Sequence, residues 1–159
     1  MSVPKSVVRF KTKQGKTTIE YTSSVDRASY TILELTRAAM RDVGKFLART
    51  ANSEAMKLKG LKKSRRVRGL TSTFRWKVPW AKSGLPHLEV GVTHSTWYGV
   101  EQEMGSSKMP KRGILRNAAH DNIAKIVEIE SQYLSALEDE ARALSLINEG
   151  EMSGGGEDG

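Results

Sequence analysis

Apolar side chains at Ile32, Leu35, Ala39, Val43, Phe46, Leu47 and Ala51 recur at steps of three and four residues. That spacing lines up one stripe of an α-helix and no face of a strand. Ser24 or Asp26 suits the role of cap ahead of it, and the pattern fades between Met56 and Leu58. About 30 residues at about 1.5 Å each make a rod about 45 Å long. A rod of that length outruns a small sheet, so part of it must pack on something else. Gly44 lies inside the stripe and marks either a close approach or a weak point.

A second apolar stripe, Leu115, Ala119, Ile123, Ile126, Ile129, Tyr133, Leu137, Ala141 and Leu144, predicts a long final helix from Pro110 to about Ile147. Glu128, Glu130, Glu138, Asp139 and Glu140 fall on its other faces. The stripe approximates a heptad, but it is wide and contains alanine, as in a helix laid across a sheet. The part after Tyr133 is the better candidate for contact with another chain.

Strands are expected at three places. Ser6 to Lys11 and Thr17 to Tyr21 are rich in β-branched and aromatic residues and flank a turn at Lys13-Gln14-Gly15-Lys16, which predicts a β-hairpin. Leu70 to Val78 and Leu88 to Val92 alternate in the manner of half-buried strands and predict an antiparallel pair. Thr96 to Val100 is expected to continue that layer or pack across it. The fold class expected is therefore α+β: a small antiparallel sheet packed against two long helices, with an N-terminal hairpin extension. A single domain over 1–147, with the hairpin at 1–22, precedes a flexible acidic and glycine-rich tail at 148–159. The tail has few apolar groups to offset its ordering entropy.

Charge is divided unevenly along the chain. Residues 1–80 carry 19 Lys/Arg against 5 Asp/Glu, whereas residues 81–159 carry 7 against 13. Opposite halves attract either within one fold or between copies arranged head to tail. The cations concentrate at Lys57, Lys59, Lys62, Lys63, Arg65, Arg66 and Arg68, where mutual repulsion favours an extended, solvated loop. With Phe74, Trp76 and Trp80 nearby, such a loop suits either a phosphate backbone, held without sequence preference, or an acidic protein surface.

Catalytic chemistry finds little support. The chain has no cysteine, which removes disulfides, thiolate nucleophiles and thiolate metal sites. His87, His94 and His120 lack metal-ligand spacing, and no phosphate-binding glycine motif is present. Glu101 and Glu103, two apart, share a face if extended; paired carboxylates do acid–base work, but a turn or interface role is the better reading. No apolar run approaches the roughly 18 residues of a membrane span, and the first residues lack a signal-peptide core. The expectation is a protein with no catalytic activity, cofactor, metal or membrane partner.

The stretch from Tyr98 to Arg116 holds an aromatic residue, glutamates at 101 and 103, a Gly105-Ser106-Ser107 turn and a Lys108-Met109-Pro110 step into helix. It resembles the signature of the phage tail-completion (head–tail joining, neck) proteins of long-tailed bacteriophages. In that family a tyrosine-rich strand enters a Glu-x-Gly turn and then a proline-opened helix. Tyr98, Glu101 or Glu103, Gly105, Pro110, Arg112 and Leu115 match by position, with Lys108 between them. Gly113, Ile114 and Met104 stand where the family usually has proline, phenylalanine and an aromatic, and the N-terminal hairpin and acidic tail are additions. The order of a long helix (25–58), a basic loop (59–70), a short sheet (71–93), the turn (98–106) and a last helix (110–147) is similar too. The resemblance implies a virion protein, assembled in the host cytoplasm. It would form a ring, a hexamer in the family, with other neck, connector and tail proteins as partners. Lys62, Lys63, Arg65, Arg66 and Arg68 then face either DNA or an acidic neighbour.

Overall fold

The computed structural model describes residues 8–14, 17–57, 73–80, 84–93 and 98–154. Among these the protein is mixed helix and strand, and mostly helical. Strands β1 (Val8–Gln14) and β2 (Thr17–Ser23) pair antiparallel, with Phe10 opposite Tyr21 and Thr12 opposite Ile19. Helix α1 (Val25–Lys57) follows at once and runs for 33 residues. The Ser23 hydroxyl accepts the Val25 N–H at 3.3 Å, one residue before the expected cap at Ser24.

Two separate cores sit along α1, which is how so long a helix is stabilised. Toward its N-terminus Leu35, Ala38 and Ala39 pack with Tyr133, Ala143 and Ile147. Toward its C-terminus Ala51 and Ala55 pack with Phe74, Ile114 and Ala118. The many alanines let neighbours approach the helix axis closely. Ile32, expected in the buried stripe, is about half exposed at 49 %. The covered arc runs through Thr31, Glu34 and Leu35 instead. Thr31 is tolerated there because its hydroxyl donates to the Arg27 carbonyl at 3.0 Å.

Strands β3 (Phe74–Lys77) and β4 (Glu89–Val92) form an antiparallel pair across the middle of α1, with Phe74 opposite Val92 and Trp76 opposite Val90. Gly44 makes the close approach possible. A Cβ there would stand 2.9 Å from Leu88 Cδ1 and 3.1 Å from the Trp76 side chain, so Gly44 marks close packing rather than a weak point. Residues 70–72, expected in the first strand of this pair, lie outside the described residues, as do Thr96 and Trp97.

Two expectations are corrected. Residues 98–100 do not continue the sheet: Tyr98–Met104 is a helix, α2. Glu, Gln and Met favour helix, and the turn spacing seats Gly99 and Gln102 inward while Val100 and Met104 stay exposed.

The expected continuous final helix is instead divided into α3 (Ile114–His120), α4 (Ile123–Ser135), a 3-10 turn (Ala136–Glu138) and α5 (Glu140–Gly154). The first break falls at Asp121-Asn122, where the Asn122 amide turns back to the Ala118 carbonyl at 2.9 Å. The second falls at Asp139, whose backbone is extended and whose carboxylate accepts the Ala141 N–H at 3.0 Å as a helix cap. These breaks let α4 and α5 both reach the N-terminal core of α1. Helix α5 runs on to Gly154, into the stretch 148–159 expected as a tail, and 155–159 lie outside the described residues.

Candidate functional site

The signature stretch folds as a compact helix–turn–helix corner. Gly99 opens it with a fit that tolerates no side chain: a Cβ would lie 2.8 Å from Thr73 Cγ2 and 2.9 Å from Val92 Cγ1. That contact holds α2 against the β3–β4 edge. Gly105 ends α2 with φ +82°, and its N–H donates to the Glu101 carbonyl at 2.8 Å. A Cβ at Gly105 would meet the Lys111 backbone nitrogen at 2.9 Å, so both conformation and space require glycine here.

Ser106 and Met109 then exchange backbone hydrogen bonds at 2.9 and 3.2 Å, closing a tight turn that carries exposed Ser107 and Lys108 at its tip. The chain returns alongside α2: the Arg112 N–H donates to the Gln102 carbonyl at 2.9 Å, and the Gly113 N–H to the Glu103 carbonyl at 3.2 Å. Pro110, expected to open the helix, sits four positions ahead of it on the exposed return arm.

Glu103 does the joining. Its carboxylate accepts the Leu115 N–H at 2.9 Å and the Arg116 N–H at 3.0 Å. These are first-turn donors of α3 that no intrahelical carbonyl reaches. The residue at the cap position itself, Gly113 (φ +59°), has no side chain to do this. A carboxylate beside the positive end of a helix is favoured by charge as well as by hydrogen bonding. Glu101 and Glu103 therefore do not share a face. In helix they point apart, and Glu103 alone binds α3.

Of the residues singled out in the sequence, Glu101, Glu103, Gly105, Lys108, Pro110, Arg112 and Leu115 come together in this corner, and Tyr98 is the first residue of α2. Leu115 packs beside the Ala51–Phe74–Ile114 core and so ties the corner to α1. Lys62, Lys63, Arg65, Arg66 and Arg68 lie outside the described residues, as does His94. Sequence reasoning misses Gln102, almost fully buried in the corner, and Gly113. The signal for Gln102 is the three-residue step from Gly99, legible only once the stretch is taken as helix.

Beside the corner, a cleft of about 320 Å³ runs between α1 and α3, lined by Thr50, Glu54, Arg112, Asn117, Asp121 and Asn122. The Arg112 Nη1 atom is enclosed and has no hydrogen-bond partner among the described residues. On β4, Glu89 binds Lys77 at 2.9 Å and His87 at 3.0 Å. The Lys77 and His87 hydrogen bonds hold its carboxyl below the usual range. Among the described residues no cluster of three His, Asp or Glu is arranged to hold a metal ion, and no helix is long and apolar enough to cross a membrane. Comparison with protein-family models, curated proteins and solved structures gives no match.

Proposed function

We propose that this chain is a structural protein of the neck of a tailed phage, forming a ring that joins the completed tail to the DNA-filled head. The observation that carries the reading is the Glu103 clamp on α3, within the stretch that resembles the tail-completion signature. A corner fixed by a carboxylate cap, a positive-φ glycine and a two-way backbone turn sets one angle between the sheet and the last helices. A ring subunit needs such an angle, because a small rotational error in each copy prevents closure. The chain acts by positioning, with no catalytic step and no cofactor. Its partners are further copies of itself, a hexamer by family resemblance, and other neck, connector and tail proteins in the virion.

A second reading rests on the seven cations between Lys57 and Arg68, namely sequence-independent binding of nucleic acid through counterion release.

The test is a phage assembly assay in which the protein is removed and resupplied. Pro110→Asp alters an exposed position without touching the cap, and Gly105→Val forces a β-branched residue into positive φ. Both are expected to leave heads and tails unjoined, with Pro110→Asp retaining wild-type helix content by circular dichroism. Normal yields of infectious particles from Pro110→Asp would overturn the reading.

A further inference from the structure

Arg112 lines the cleft between α1 and α3 with a charge that the fold leaves unanswered. Its Nη1 atom is enclosed and has no acceptor among the described residues. An enclosed donor without a partner is rare in a folded protein and costs stability, the more so when it is charged. Two carboxylates line the same cleft, yet neither serves. Glu54 bonds Lys57, three residues on along α1, and the exposed Asp121 bonds His120 at 3.3 Å. Nor does the chain supply an acceptor as it leaves the cleft wall at the end of α1. Residues 58–72 contain six Lys or Arg and no Asp or Glu.

The backbone that carries this guanidinium is fixed. The Arg112 N–H donates to the Gln102 carbonyl at 2.9 Å, and its carbonyl accepts from Asn117 Nδ2 at 3.3 Å. Asn122 Nδ2 is likewise bound, to the Ala118 carbonyl at 2.9 Å. What the two asparagines offer a ligand is therefore their amide oxygens, beside the Thr50 hydroxyl. A cation with no acceptor, flanked by neutral groups that accept N–H, suits a carboxylate carried on a peptide. The volume of about 320 Å³ equals roughly ten waters, room for an acidic side chain and the peptide unit behind it.

We propose that the α1–α3 cleft is a docking site for an acidic peptide segment of a partner protein, with one Asp or Glu carboxylate accepting from Arg112. Binding turns the guanidinium outward, so that its planar fork meets the carboxylate in two parallel hydrogen bonds. Glu54 and Asp121 favour a single carboxylate over a phosphate backbone, whose charges repeat along the strand and would meet them. The site is independent of the neck reading. It is tested on purified protein, so the two can fail separately.

The probes are the capped tripeptide acetyl-Gly-Glu-Gly-amide and its Gln counterpart, titrated into the isotope-labelled full chain and followed by NMR. The Glu peptide should shift the Thr50, Asn117 and Asn122 amide signals saturably, and the Gln peptide should bind about tenfold more weakly. In Arg112→Gln the two peptides should bind equally weakly. Raising salt from about 0.1 M to about 1 M should weaken the Glu peptide alone. Arg112→Met keeps the aliphatic stem and removes the donors. Its melting temperature without peptide should be no lower than that of wild type, because the guanidinium stabilises nothing within the fold. A fall of several degrees would overturn the proposal, since Arg112 would then hold the fold together. Equal binding of the two peptides by wild type, or no saturable shift, would overturn it too. So would a short oligothymidylate that moves the same signals more strongly and depends on Arg112, which would make nucleic acid the ligand.

Discussion

Asn52 on α1 pairs with the backbone of Phe74 in both directions: its Nδ2 donates to the Phe74 carbonyl at 3.1 Å, and the Phe74 N–H donates to its Oδ1 at 3.1 Å. In an antiparallel ladder the N–H and C=O of one residue point to the same side. At Phe74 that side faces α1 rather than β4, so Asn52 stands in for a missing strand and closes the inner edge of the sheet. An open edge invites pairing with other chains.

Replacing this amide should be costly, because Phe74 is fully buried and each stranded backbone group costs about 1–3 kcal/mol. Asn52→Leu is expected to lower stability by about 2–4 kcal/mol. Asn52→Asp should lie between that and wild type, since its carboxylate still accepts the Phe74 N–H but faces the carbonyl without a proton. Urea unfolding checks both: the midpoint should fall with the slope unchanged. A midpoint for Asn52→Leu equal to wild type would show that the pairing does not stabilise the fold.

The two glutamates of the corner should separate cleanly. Glu103→Ala strips two first-turn donors of α3 of their acceptor and is expected to cost about 1–2 kcal/mol, as removing a helix cap usually does. Glu101→Ala leaves its backbone carbonyl on Gly105 intact and should shift stability by less than about 0.5 kcal/mol. Thermal melts of the two variants under one buffer decide it. Equal destabilisation by both would mean that the cap contributes nothing beyond ordinary helix propensity.

The sequence discloses periodicity and hides interruption. The three- and four-residue steps from Leu35 to Ala51 and the alternation around Phe74–Lys77 correspond to α1 and β3 because one side of each is covered, and Glu89–Val92 corresponds to β4, which is half-buried. The stripe from Leu115 to Leu144 looks continuous because a break with a helical residue on each side preserves the apparent period. Only the caps mark the ends, and Asn122 and Asp139 suit the solvated faces of one helix equally well. Tyr98 to Val100 looks like a strand from its aromatic and β-branched residues, whereas the packing of Gly99 against Thr73 and Val92 decides for helix. The corner residues are legible as a group. The choice between Glu101 and Glu103 is not, since it depends on which carboxylate α2 turns toward α3.

Alkaline pH should expose the Tyr133–Asp42 contact. The Tyr133 hydroxyl, buried against α1, donates to the Asp42 carboxylate, and burial first, then that hydrogen bond and the nearby negative charge, push its pKa well above the ordinary phenol value. The folded protein thus keeps a proton that the unfolded chain releases from about pH 10 upward. Stability must fall as pH rises through that point, because the unfolded state binds fewer protons there. Tyr133→Phe is expected to be less stable than wild type at pH 7, since it cannot bond Asp42, and to show a shallower decline between about pH 9.5 and 11. Unfolding midpoints across that range check the slope. An unchanged decline in Tyr133→Phe would assign the alkaline destabilisation to other groups.

The basic segment offers the sharpest division between the two functional readings. Replacing Arg65, Arg66 and Arg68 by glutamine keeps length and polarity and removes three positive charges. If the segment meets DNA, the wild-type protein should shift generic duplex, and the log–log salt slope in the variant should shrink by up to about 0.9 for each phosphate it no longer neutralises. If it meets protein, duplex binding should be weak from the start, and the variant should instead fail to join heads to tails. The acidic surface of α4 and α5, with seven carboxylates against two cations over residues 121–149, gives the second outcome an identifiable partner within the same assembly. Charge reversal at Glu128 and Glu130 should then partly restore joining when paired with cation-to-acid changes at Arg65 and Arg66, a rescue that DNA binding does not provide. Tight, salt-sensitive duplex binding by the wild-type chain, abolished in the triple variant while head–tail joining survives, would reverse the preference and make nucleic acid the segment's partner.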